Sequence, residues 1–447
     1  MRILGIGECN DLAAMHAGFV RRGHEVKVFV EDPASHDVHA GLVERVDDWQ
    51  RELDWVREAG EDGLVLFESA VKGELQDQLR RDGFQVIGGC ALGDRLEGDR
   101  AFGQQVLRDA GLRTAACHAF TAYEDAMRFV REHPARYVLK FNGANSARTR
   151  NFVGEMEDGS DVLAMLGLLA ARRRDEGVVD FILMEHLDGV EVGVGAFFNG
   201  EAFLQPAVLD FEHKRFFPGE LGELTGEMGT IVSYQGARRL FDAVLAPIAP
   251  LLREGGYVGY VNVNLIANEQ GLWPLEFTSR FGYPGYAICE ALHAESWEAI
   301  FRRMLRRDGR RFATHDGFAC GVVLTVPPFP YAYGYEELGK GMPIMLRPSV
   351  TPRDRMRLHF AEVAYVDGQL VTAGSTGYVG VATGIGTTVQ EANENALRVA
   401  RGVVVPNLRY RRDIGERVAR SDLARLQSLG WYDSATSLRT HPHPAMA

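Results

Sequence analysis

The feature that most constrains this chain is the alternation of element types at its start. "MRILGIG" is a short apolar run closed by glycine. "CNDLAAMHAGFVRRG" is amphipathic at helical spacing, and "HEVKVFVED" is a second apolar run ending in acids. "GLVLFES", "ELQDQLRRDG" and "QVIGG" repeat the pattern. Strands joined by helices pair in parallel, because each helix carries the chain back along the sheet. A Rossmann-like, doubly wound sheet is therefore expected over residues 1–98. Gly5-Ile6-Gly7 lies where a dinucleotide fingerprint would, with Glu31 and Asp32 near the distance expected of a ribose-binding acid. The third glycine is missing and Glu8 would repel a pyrophosphate, so a tight strand-to-helix turn is expected instead.

Beyond residue 98 the pattern becomes mixed. "TAYEDAMRFVREHP" reads as a helix, with Thr121 as N-cap and Glu124 at capping-box spacing. "ARYVLKFNG" reads as a strand ending near Lys140, "ANSARTRNFVGEMEDG" as a hairpin or loop, and "SDVLAMLGLLAARRRDEG" as a helix. "VDFILMEHLDGVEVGVGAFFNGEAF" gives a strand, a short hinge and another strand, and "YQGARRLFDAVLAPIAPLLREGG" a helix. From about residue 312 the elements suggest a compact α+β C-terminal domain. The tail from Ser421 is expected to fray.

Composition narrows the function. A length of 447 residues, 46% hydrophobic and 25% charged, is that of an ordinary globular chain of several domains. A net charge of −12 argues against general nucleic-acid binding, which needs basic patches. No apolar run approaches the ~20 residues that span a bilayer, and the Gly-rich start is no signal peptide. The five cysteines lie far apart with no C-x-x-C pair, as reduced thiols of a cytoplasmic protein would. Only five of the 49 basic residues are lysines: Lys27, Lys72, Lys140, Lys214 and Lys340. A chain that uses arginine so freely marks a lysine as a candidate for a place needing a compact point charge.

The stretch "LEFTSRFGYPG", from Leu275 to Gly285, ends a strand on an acid, two hydroxyls and a guanidinium. In an extended segment Glu276 and Thr278 share a face. That set can hold a metal ion and an anionic substrate. With "LEGDRAF", "YVLKFNG", "ILMEHLDGVEV", "FEHKRFFPGELGELTGEMG", "FAEVAYVDGQLVTAGS" and "LRYRRDIG", it resembles the phosphoribosylamine–glycine ligase family of the ATP-grasp superfamily, over residues 96 to 416.

The resemblance implies a multidomain α/β and α+β fold. Residues 1–98 would be a Rossmann-like domain, 99–190 the ATP-grasp lid subdomain and 191–311 the large subdomain bearing the metal and substrate site. Residues 312–417 would be a small α+β domain and 418–447 a tail. It implies an ADP-forming carboxylate–amine ligase that works through an acyl phosphate, using ATP and Mg²⁺, with Mn²⁺ the alternative ion. It assigns Arg100, Lys140, Arg148 and Arg150 to the phosphates. It assigns the hinge Glu185-His186-Leu187 to adenine and Glu191 to the ribose. Glu276, Thr278 and Asn264 are implied metal ligands, Arg280 and Lys214 catalytic groups, and Glu212, His213, Arg215, Thr225 and Gly226 substrate contacts. The implied partners are a small carboxylate and an amine, acting on a monomer or homodimer, with no nucleic acid and no membrane.

The departures from the family are concentrated. The Gly-rich phosphate loop is here "NGANSARTRNF", with one glycine. The turn that grips the sugar phosphate reads Glu8-Cys9-Asn10-Asp11, and the family's Gly-Pro-Glu is Leu66-Phe67-Glu68, in which only the acid is kept. Glu227 replaces a glycine, Tyr283-Pro284-Gly285 replaces Asp-Pro-Glu, and Thr278 replaces an asparagine. The nucleotide half is kept and the sugar-phosphate half rewritten. Three readings stay open: a ligase with an altered substrate, the family's own ligase of purine biosynthesis, and a nucleotide-binding pseudoenzyme.

Overall fold

The computed structural model describes residues 1–141, 151–172 and 180–433. At the N-terminus, strands Arg2–Gly7, Glu25–Val30, Glu44–Arg45, Gly63–Phe67 and Val86–Ile87 form a parallel sheet. Arg2–Gly7 lies between Glu25–Val30 and Gly63–Phe67, so the strand order reverses beside it. In such sheets the crevice beyond the strand ends at the reversal is where ligands sit. Ile3, Leu4, Ile6, Leu64, Val65, Leu66 and Phe67 are all buried, as a sheet covered on both faces requires. The paired glycines here serve packing. A Cβ at Gly5 would lie 2.6 Å from the His16 ring, and one at Gly7 would overlap the Glu68 carboxylate.

A second sheet is antiparallel, in the order Cys117–Phe120, Phe181–Glu185, Tyr137–Phe141, Phe152–Val153. Helices Tyr123–Glu132 and Ser160–Arg172 cover it around Tyr123, Val130, Leu139, Leu166 and Phe181. Thr121 does not cap the first of these helices. Ala122 takes that position without a side-chain bond, and Glu124 and Asp125 in the first turn compensate the helix dipole instead.

The third sheet has eight strands. Its order is Gly271–Thr278, Val258–Asn268, Val190–Asn199, Val208–Phe217, Leu221–Ser233, Phe318–Thr325, Tyr378–Gly386, Leu358–Phe360, with every neighbour antiparallel. This sheet runs unbroken across residues 311 and 312. Phe318–Thr325 pairs with Gly229–Val232 and so covers what would otherwise be an open strand edge. Helix Val389–Ala400 buries Ala392, Ala396 and Leu397 in the same core. The helical stretch 238–254 widens at Phe241–Leu245 and passes Pro247 and Pro250, which lack a backbone donor. Ser421 does not begin a frayed tail: residues 418–428 are helical and Leu426 is in the core. Residues 434–447 lie outside the described residues.

Candidate functional site

A cavity of about 680 Å³ opens where the three sheets meet. Its floor is one face of the eight-stranded sheet, chosen by the two-residue period of a strand. Strand Val190–Asn199 turns Glu191, Gly193, Gly195 and Phe197 to this face. Strand Val208–Phe217 presents Asp210, Glu212 and Lys214, and strand Val258–Asn268 presents Tyr260, Asn262, Asn264 and Ile266. Glu276 and Thr278 come from the outermost strand. The same period carries His213 to the opposite face. It is buried there, with Nδ1 at 3.2 Å from the Phe211 carbonyl and Nε2 accepting from Gly415 N–H. Burial pulls its pKa down to about 4, so the ring is a neutral structural link outside the cavity. Arg215 also faces away and donates to the Gly222 carbonyl.

Lys214 stands among three carboxylates. Its Nζ is 2.9 Å from Glu191, 3.1 Å from Glu212 and 3.8 Å from Glu276. Burial alone would lower its pKa, but Glu191, Glu212 and Glu276 outweigh that and hold it well above the ordinary value. Asn264 donates Nδ2 to Glu212 at 3.1 Å, which leaves its Oδ1 as the atom for an ion. Thr225, beside Gly226 in the cavity wall, donates its hydroxyl to the Lys214 carbonyl.

The roof carries cations. Lys140, on strand Tyr137–Phe141, lines the cavity with Arg100 from the first turn of helix Arg100–Asp109. Burial, with Arg100 and Lys214 nearby, lowers the Lys140 pKa, and Glu276 and Glu191 partly oppose this. The Arg100 Nη1 is buried with no hydrogen-bond partner among the described residues. The other three lysines form surface pairs: Lys27 with Glu52, Lys72 with Glu31, and Lys340 with Glu336. The lysine bias thus pointed to two residues, and both line this cavity. Arg148 and Arg150 lie outside the described residues.

In the hinge, His186 and Leu187 line the cavity while Glu185 is exposed. The backbone N–H groups of Glu185 and His186 bond the carbonyls of Ala116 and Arg136. Arg280 enters from the far side, with Nε 3.0 Å from Glu97. Burial would lower its pKa, but Glu97 and then Asp11 hold it above the ordinary value. Glu97 also accepts from Ser279 N–H at 2.7 Å and so fixes the strand end.

Sequence reasoning missed Glu97, Asp210, Tyr260 and Asn262 and named Asp11 and Glu227 only as departures from the family; all six line the cavity. One signal was available. The alternation Asp210-x-Glu212-x-Lys214 inside an apolar strand marks a single polar face.

The turn after the first strand is closed from within. Glu68 is 3% exposed and its Oε1 accepts from the N–H groups of Cys9 and Asn10, each at 2.9 Å, while Oε2 accepts from Leu12 at 3.4 Å. Burial, then the nearby Asp11, raises the Glu68 pKa to about 7. Its carboxyl sits where backbone donors of this turn would otherwise meet an outside anion.

Three sheets around a cavity that offers cations above and acids below define an ATP-grasp arrangement, and residues 98–286 match the family model "Phosphoribosylglycinamide synthetase, ATP-grasp (A) domain". Residues 98–286 thus match an ATP-grasp domain, and the chain is similar to phosphoribosylamine–glycine ligases. The Pseudomonas aeruginosa protein of that name is 29% identical over 351 residues, 76% of this chain and 79% of its own. That of Rhizobium meliloti is 26% identical over 405 residues, 88% and 91% of the two chains. The crystal structure of phosphoribosylamine–glycine ligase from Thermotoga maritima superposes with a TM-score of 0.71 at 23% identity, covering 93% of this chain and all of the other. N5-carboxyaminoimidazole ribonucleotide synthetase from the same organism shares the fold with a TM-score of 0.55 at 16% identity, covering 90% and 99% of the two chains. Among the described residues no helix is long and apolar enough to cross a membrane.

Proposed function

We propose that the protein joins a carboxylate to an amine with ATP and Mg²⁺, releasing ADP, and that its amine is not phosphoribosylamine. The observation that carries the second part is the altered turn Glu8-Cys9-Asn10-Asp11, closed here by Glu68, an acid the family also has. Three backbone N–H groups that would cradle a phosphate are spent on a carboxyl of the chain itself. Asp11 next to it adds further negative potential.

The first part rests on the cation and acid arrangement. Arg100 and Lys140 supply the charge that nucleotide phosphates need, and the partnerless Nη1 of Arg100 suits an anion. Glu191 and Leu187 line the cavity, and in this reading the carboxylate would accept ribose hydroxyls and the Leu187 amide would read the adenine edge. Among the described residues no group of three or more His, Cys, Asp or Glu side chains is arranged to hold a metal alone. Mg²⁺ typically takes one or two carboxylates and completes its shell with phosphate oxygens and water, so Glu276, Asn264 and Thr278 fit it. When bound, the ion supplies neutralisation of the phosphate charge. Arg280, held rigidly by Glu97, faces the substrate carboxylate and the negative charge that develops as it attacks phosphorus. Lys214 would exchange its carboxylate partners for a substrate anion as the acids engage nucleotide and metal. Water must be kept from the acyl phosphate, and Phe281, Tyr283 and Tyr286 line that side of the cavity.

The test is ADP release with hydroxylamine across a panel of amino acids and other small carboxylates. A hydroxamate with one acid is expected; none with any acid, alongside measurable ATP binding, would move the assignment to a nucleotide-binding pseudoenzyme. Production of glycinamide ribonucleotide at ordinary rates from phosphoribosylamine would instead establish the family's own reaction, which the long coverage of the relatives favours.

A further inference from the structure

One wall of the cavity holds a carboxyl group with no part in the chemistry above. Asp210 is 7% exposed. Its Oδ2 accepts from Asn262 Nδ2 at 2.5 Å, and its Oδ1 has no hydrogen-bond partner among the described residues. Leaving a buried carboxyl oxygen unpaired is costly, so the chain retains a group that something else completes.

The surrounding backbone is shaped to accommodate this carboxyl. Asp210 pairs in register with Gly193, and a Cβ at Gly193 would overlap the Asp210 carboxylate. A Cβ at Gly195, next on the same face, would overlap the Tyr260 hydroxyl. Both glycines keep the floor open under two polar groups. Asp210 lies on the ladder rung of Glu276, three strands away across Gly193 and Asn264, about 14 Å between backbones. It therefore stands at the opposite side of the floor from the outermost acid.

Tyr260 is the aromatic neighbour of Asp210, its hydroxyl 3.3 Å from the same Asn262 Nδ2, and other rings continue the cavity lining further along the sheet. Phe197, Tyr260, Phe281 and Trp297 line the cavity, with the Phe197 ring 5.3 Å from Tyr260 and 5.8 Å from Trp297. Lys214 acts on Asp210 through space, and it is tied to Glu191 and Glu212. Burial, with Glu212 next along the strand, pushes the Asp210 carboxyl up to about 8. The group is thus held ready to ionise when a positive charge arrives.

We propose that Asp210 anchors a substrate subsite for a protonated amino group carried on an apolar or aromatic body. This deepens the ligase reading and rests on it: one of the two substrates carries that group. Phosphoribosylamine carries an amino group but no apolar body.

The experiment is calorimetric titration of the full chain with ADP and Mg²⁺ present, using matched probes: 2-phenylethylamine against 2-phenylethanol, and isobutylamine against isobutanol. A charge-assisted contact at a buried carboxylate should favour each amine by about 10-fold or more over its hydroxyl partner. Asp210→Asn keeps the shape, and its amine-to-hydroxyl ratio should fall below about 3-fold. A ratio near one in the wild-type chain, or a ratio that survives Asp210→Asn, overturns the subsite. If Asp210→Asn does not fold, the wild-type ratio decides alone. Failure of the ligase reading shows separately, as absence of hydroxamate with every acid. A hydroxamate together with a ratio near one leaves the ligase standing and removes only the subsite.

Discussion

Two parts of the molecule have the makings of anion sites, and they differ in what completes them. At the roof of the cavity, Arg100 keeps a buried Nη1 without a partner and Lys140 sits in a medium that disfavours its own charge. At the mouth of the parallel sheet, the N–H groups of Cys9, Asn10 and Leu12 already have an acceptor in Glu68. One site bears an electrostatic cost that an incoming phosphate would relieve. The other is satisfied internally, so an incoming phosphate would have to displace a buried carboxyl. Shared ancestry fixes neither outcome; the partner of each donor does.

The contrast can be tested by substitution, beginning with the acid floor on which the roof depends. Glu276→Gln should lower kcat by at least about 100-fold, beyond the ~10–100-fold typical of groups one shell out from a metal. Steady-state ADP release checks this, and an unchanged kcat would falsify the metal assignment. Lys140→Ala and Arg100→Ala should each raise the KM for ATP by about 10-fold or more, since a charge-assisted contact contributes about 1.5–3 kcal/mol. Unaltered ATP binding in both variants would mean that the phosphates lie elsewhere.

Glu68→Ala attacks the other side of the comparison. It leaves three N–H groups without their acceptor and should cost about 1–3 kcal/mol in a denaturant melt. The same variant should gain affinity for inorganic phosphate, and no gain would show that the turn was never a latent anion site. Thr278→Asn should change the apparent Mg²⁺ requirement only a few-fold, because an amide oxygen replaces a hydroxyl in a shell mostly filled by other ligands. A loss of activity above about 100-fold would show that the hydroxyl has a role of its own.

The smallest effect expected is on pH dependence. The folded chain raises the Glu68 pKa from 4.5 to about 7. Folded protein then holds a proton that unfolded protein has released, so this group's contribution is full below pH 4.5 and is lost as pH rises to about 7. Thermal melts across that window should show a falling limb that flattens in Glu68→Gln. An identical limb in the variant would assign the dependence to other groups.

Much of this was legible along the chain, and each part for a local reason. Alternating strands and helices marked the parallel sheet, because a helix between two strands leaves few other ways to pair them. Period-two reading put Glu276 and Thr278 on one face, and the same rule places Lys214 and Glu212 together and removes His213 to the other side. The scarcity of lysine singled out Lys140 and Lys214, and both line the cavity. The helix cap at Thr121 was misread because a capping residue must adopt a particular backbone conformation, which residue type alone does not ensure.

The sequence by itself determined the element types, the polar face of each strand and the set of cations and acids, because these follow from spacing over a few residues. Tertiary structure alone decided which distant groups meet. Glu68 reaches a turn 56 to 59 residues away, and the small-residue gap at Gly193 places Asp210 over the cavity floor. It also joined residues 318–325 to the sheet begun at Val190, because an unpaired strand edge must find hydrogen bonds wherever the fold supplies them. Contacts of that range carry no local period, so their chemistry is set only when the sheets close on one another.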